Sequence, residues 1–115
     1  MELTKEIKSR IRSHAKQASP EECCGFLIEA EDEKNEVIEC KNTAANKEET
    51  FRISIDEYLE SLDKGEILGV YHSHLKKENS FSKIDETLAK TLELKSILYN
   101  LESDKFEILE PPIDE

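Results

Sequence analysis

The sequence is poor in the residues that build frameworks, linkers and membrane spans. It has three cysteines, Cys23 and Cys24 adjacent and Cys40 apart, and an odd set of this kind builds no disulfide framework. With no apolar h-region at its start, this cysteine usage points to a reducing, cytoplasmic setting. No apolar run approaches the ~20 residues that cross a bilayer. With three glycines and three prolines there is no linker-like stretch, low-complexity segment or internal repeat, so residues 1–115 read as one domain. Positive charge is also scarce: 16 Lys+Arg against 27 Asp+Glu leave a formal net of -11. That balance argues against DNA or an anionic membrane as the main partner, because both require compensating cations. The deficit is uneven. Residues 1–18 carry Lys5, Lys8, Arg10, Arg12 and Lys16 against Glu2 and Glu6, a net of +3 that leaves -14 on the rest. A short basic helix on an acidic body is an ordinary solvated face rather than a nucleic-acid arm.

Hydrophobic and charged residues each make up 37% of the chain, and the apolar ones come in organised runs, which separates it from a disordered composition. Leu3, Ile7, Ile11, Ala15 and Ala18 recur at helical spacing and predict an amphipathic helix over 3–17, ended by Ser19-Pro20. CCGFLIEA and EVIEC predict two antiparallel strands, about 24–30 and 36–41, joined by a charged turn. NTAANKEET reads as loop and FRIS as a third short strand. Ser54 is a helix N-cap with Glu57 at the capping-box position, Ile55, Tyr58, Leu59 and Leu62 form the expected buried stripe, and Gly65 closes the helix. EILGVYHSH, apolar on both faces, is the expected central strand. SKIDETLAKTLEL is a further helix with Ile84, Leu88 and Leu92 at i, i+4, i+8, Leu88 being buried. KSILYNL and KFEILE flank ESDK as a hairpin, and PPIDE is a frayed tail. The fold class is α/β (α+β), a mixed central sheet flanked by helices.

His72-Ser73-His74 carries the chemistry. On a strand, i and i+2 point to one face, so both imidazoles can meet one metal ion. They sit where an apolar strand runs out into loop. Asp85, at the start of the next helix, lies within reach of the strand end, and two histidines with a carboxylate are a catalytic zinc set with a fourth position open to water. The blander reading stands beside this one: His-x-His alone is a weak signal, and Ser82 with Asp85 also fits a capping box with no metal. Glu22 has two readings as well. Ser19-Pro20-Glu21-Glu22 matches a capping box. Alternatively, a glutamate just before a central strand can reach the zinc-bound water, with Gly25 letting the backbone pass closely. His14 reads as an exposed helix residue, and the cysteines read as small buried hydrophobes.

His72-Ser73-His74, seven residues, Ser82, two residues and Asp85, with Glu22 upstream in EECCGFLIE, resembles the JAMM (MPN+) zinc metallopeptidases. NTAANKEETFRISIDEYLE is similar to the stretch that small bacterial and bacteriophage members carry before the His-x-His strand. The resemblance runs from about Ser19 to Asp85 and implies a JAMM/MPN, cytidine-deaminase-like sandwich. It implies that His72, His74 and Asp85 bind Zn²⁺, that Glu22 is the general base, and that Ser82 steadies the oxyanion. Leu75 and Phe81 stand where relatives commonly have proline, which loosens the expected 75–81 loop without removing a ligand. The implied activity is hydrolysis of a peptide or isopeptide bond. The expected partner is a protein or peptide with a flexible tail, such as a ubiquitin-like, sulfur-carrier or phage protein. The rival is a phage tail-assembly protein in which zinc is mainly structural.

Overall fold

The helical period near the N-terminus becomes α1, Lys5–Ala18, in the computed structural model, which describes residues 3–75 and 94–110. Thr4 caps it, its hydroxyl accepting from Ile7 N at 3.2 Å. Ile7, Ile11 and Ala15 then fall on one face and are buried against the sheet. β1 (Cys24–Glu29) and β2 (Asn35–Cys40) pair antiparallel from Cys24↔Cys40 to Glu29↔Asn35. The charged turn between them places Asp32 and Glu33 in the left-handed region, φ 67° and 59°. α2 spans Ile55–Lys64, β3 Glu66–His74, β4 Lys95–Asn100 and β5 Lys105–Leu109. The sheet order is β2-β1-β3-β4-β5, so the strand that is apolar on both faces is central, as expected. β3 runs antiparallel to β1 and parallel to β4, and β4–β5 form the expected hairpin. No helix among the described residues is long and apolar enough to cross a membrane.

Alternation along the strands divides the core in two. On one face Cys23, Leu27, Tyr71, Ile97 and Tyr99 pack under α1; on the other Cys24, Phe26, Ile28, Ile67 and Val70 pack with Phe51, Ile53 and Tyr58. The β1–β3 register shifts between Leu27 and Ile28, whose partners are Gly69 and Ile67. That bulge resets the phase of β3, so Ile67 and Val70 share a face that His72 and His74 continue.

Three expectations are corrected. FRIS is not a strand: its backbone groups are engaged by the preceding loop, Arg52 N donating to Asn42 Oδ1 and Arg52 O accepting from Thr43 N and Oγ1. α2 is a helix with Ser54 as N-cap, but of its expected stripe only Tyr58 packs inward. Ile55, Leu59 and Leu62 are 72%, 51% and 44% exposed, while Ser61 is buried. The helix docks through Tyr58, edge-on to Phe26 at 5.8 Å, and through Glu57, whose carboxylate accepts from Lys41 N at 3.1 Å instead of closing a capping box. His14 is not exposed. Its side chain is 13% accessible and its Nδ1 lies 2.7 Å from Tyr71 Oη. The helix expected from Ser82 onward, Leu88 with it, and the PPIDE tail lie outside the described residues.

Candidate metal centre

β3 ends in His72-Ser73-His74, and its two-residue period sends both imidazoles to the α2 side. Their ring centroids are 4.9 Å apart. His72 is buried and stacks on Phe51, centroids 4.6 Å apart and planes 20° from parallel. Ser73 faces the opposite way and fastens the strand end: its Oγ accepts from Cys23 N at 2.8 Å, and Ser73 N donates to Cys23 O at 3.1 Å.

Glu22 enters from the segment before β1. No helix begins at Ser19-Pro20, so the capping-box alternative for Glu22 is removed. The residue is 5% exposed, and its Oε1 lies 3.9 Å from His74 Nε2. One ligating atom from each of Glu22, His72 and His74 falls within 4.8 Å of the others. Glu22 N donates to Lys47 O at 2.7 Å, and Glu22 O accepts from Asn42 Nδ2 at 2.9 Å.

Gly25 does permit a close approach, but one row away from the histidines. A Cβ there would collide with Ile38 O and stand 2.6 Å from Tyr71 Cζ on the α1 face. Cys24 shares a row with Cys40 on one side and His72 on the other. Burial pushes the Cys23 thiol up to about 11 and Cys40 up to about 12, and raises Cys24 as well. The thiols are therefore protonated and inert near neutral pH, in keeping with small buried hydrophobes.

The structure thus brings together Glu22, His72 and His74, while Ser82 and Asp85 lie outside the described residues. The donor set suits zinc: two neutral-capable imidazoles and a carboxylate are borderline-soft to hard ligands, and tetrahedral zinc holds its donors roughly 3.4 Å apart. A carboxylate 3.9 Å from a histidine nitrogen is near enough to meet the same ion or a water upon it. Composition and spacing alone give no role to Phe51, Asn42 or Ser73. For Phe51 and Asn42 the available signal was the likeness of NTAANKEETFRISIDEYLE to relatives, which marked the stretch without saying what its side chains touch.

A five-stranded mixed sheet with a carboxylate and a histidine pair at the end of its central strand defines the class, a JAB/MPN-type fold with a candidate metal centre. The sequence profile of the prokaryotic homologs of the JAB domain matches residues 4–108, and the chain belongs to that family. The JAB1/MPN domain protein of Archaeoglobus fulgidus superposes with a TM-score of 0.66 at 17% identity, covering 96% of this chain and 89% of that one. A Desulfitobacterium hafniense protein superposes at 0.72 with 24% identity, covering 98% and 92%. Tail tip assembly protein K of Escherichia phage N15 is 29% identical over 76 residues, 66% of this chain and 31% of the relative. The match thus spans about a third of that relative's length.

Proposed function

We propose that this protein is a zinc-dependent metallopeptidase that hydrolyses a peptide or isopeptide bond. The observation that carries the reading is a buried glutamate carboxylate meeting two strand-end imidazoles within 4.8 Å. His72 and His74, with Asp85, would hold the ion. When bound, zinc supplies Lewis acidity, polarising the scissile carbonyl and bringing the pKa of the attacking water toward ~7. Glu22, anchored through its own peptide on both sides, takes the proton from that water and later delivers it to the leaving amine. By the family resemblance, Ser82 would steady the oxygen on which negative charge develops.

The substrate we favour is an extended tail, on a ubiquitin-like, sulfur-carrier or phage protein. A site at the end of a central strand, with β2 at the sheet edge, suits a chain that docks in extended form. A second reading is favoured by the likeness to tail tip assembly protein K: a tail-assembly protein in which zinc mainly holds the loop. The test is elemental analysis together with cleavage of tail peptides. Near-stoichiometric zinc that falls sharply in His74→Ala, with cleavage abolished by chelation, supports the peptidase. Stoichiometric zinc with no cleavage of any tail supports the assembly reading, and zinc unchanged in His74→Ala contradicts both.

A further inference from the structure

The buried side chain of Asn42 reaches five backbone groups. Its Nδ2 lies 2.9 Å from Glu22 O, 3.0 Å from Thr50 O and 3.3 Å from Lys47 O. Two amide protons serve three carbonyls, so the two shorter contacts take them and Lys47 shares. Its Oδ1 accepts from Ala44 N at 3.0 Å and from Arg52 N at 3.2 Å. An amide is the one short side chain that offers two donors and an acceptor together.

These contacts converge on the metal centre by two routes. The first runs through Glu22, whose carbonyl is held by Asn42 and whose N–H is held by Lys47 O, itself within reach of the same Nδ2. The second runs through Phe51, because Thr50 O and Arg52 N, on either side of it, are both bonded to Asn42. Phe51 is the ring stacked on His72. A buried amide whose partners were lost would leave desolvated backbone groups unpaired, so the arrangement has few alternatives.

We propose that Asn42 is the positioning residue of this centre: it sets the Glu22 carboxylate and the His72 ring against each other, through the Glu22 carbonyl and the Phe51 stack. The catalytic consequence rests on the peptidase reading; the geometric one does not. Asn42 touches neither substrate nor ion and acts through Glu22 and Phe51.

The test uses the full zinc-loaded chain and compares Asn42→Ala with Thr43→Ala. Thr43 Oγ1 bonds Arg52 O at 3.0 Å and so fastens the same loop without touching Glu22. Two NMR readouts are independent of activity: the ring-current shift that Phe51 imposes on the His72 ring protons, and exchange of the Glu22 amide. In Asn42→Ala the His72 protons should move toward unstacked positions and Glu22 exchange should quicken at least ~10-fold, with β4–β5 exchange unchanged. For tail cleavage, kcat should fall ~10–100-fold with KM within about twofold and zinc retained, the scale expected of an ångström-sized misplacement. Thr43→Ala should do none of this. Unchanged His72 shifts, or, in a wild type that cleaves, a kcat equal to that of Thr43→Ala, overturn the proposal. Asn42→Ser, which keeps one hydroxyl donor, takes the place of Asn42→Ala if the latter does not fold; if neither folds, Asn42 is a folding staple and the proposal fails. Should the wild type neither bind zinc nor cleave, the peptidase reading falls alone, and the His72 shift and Glu22 exchange still decide for or against Asn42.

Discussion

His14 on α1 and Tyr71 on β3 lie 57 residues apart and meet at 2.7 Å. Glu39 stands 3.7 Å from the other ring nitrogen, and Arg10 bonds Glu39 in turn. Burial lowers the His14 pKa below its ordinary 6.5, the attraction of Glu39 opposing and Arg10 adding to the shift. The unfolded chain thus takes up a proton at higher pH than the folded one. The stability linked to a neutral His14 is present above 6.5 and is lost as pH falls below it. His14→Gln should therefore lose less stability than the wild type between about pH 7.5 and about pH 5.5, measured by urea midpoints. Equal losses would show that His14 titrates as if exposed. At this scale the facing of His72 and His74 was legible, because a two-residue period is a local property; Glu22 was left open between a helix cap and the centre by its spacing, and only the family resemblance drew it to the histidines. His14 and Asn42 were not legible, because each acquires its role from a partner far along the chain, Tyr71 in one case and the Glu22 carbonyl in the other.

Among the elements, α2 marks the limit of pattern reading. Its helical character and its N-cap Ser54 were right, yet of the stripe Ile55, Tyr58, Leu59 and Leu62 only Tyr58 packs inward and the other three face outward. Periodicity fixes that a helix has an apolar stripe; it does not fix which face the sheet accepts. Here the small Ser61 permits close approach, Tyr58 meets Phe26, and Glu57 holds the Lys41 amide. Leu59→Ala should consequently change stability by no more than about 0.5 kcal/mol. Ile11→Ala, which empties a fully buried position on the sheet-facing side of α1, should cost about 2–5 kcal/mol. Chemical denaturation of the two variants checks the pair, and a large loss in Leu59→Ala would restore the stripe to the interior. FRIS failed for a related reason: a β-like tetrapeptide becomes a strand only if its backbone groups remain available for a ladder, and Asn42 and Thr43 hold those of Arg52. β3 succeeded because an unbroken apolar run from Ile67 to Tyr71, apolar on both faces, has few homes other than the middle of a sheet.

Across the whole molecule the charge is one-sided, with -14 on residues 19–115. On the peptidase reading a field of that sign would steer basic tails toward the strand-end site, an effect screened beyond about 10 Å at 0.1 M salt. For a Lys-rich tail peptide kcat/KM should fall as salt rises toward about 0.5 M, while an acidic tail should show no such fall; identical salt profiles for the two would remove steering from the account. The central claim is narrower and rests on Glu22, the buried carboxylate beside His74. Glu22→Gln preserves size while removing the group that can take a proton. Zinc content, melting temperature and tail-peptide hydrolysis measured on one preparation of that variant test the claim most directly. The account predicts a folded, fully metallated protein whose hydrolysis is about 10²–10⁴-fold slower than wild type. A Glu22→Gln protein that cleaves at the wild-type rate would contradict it.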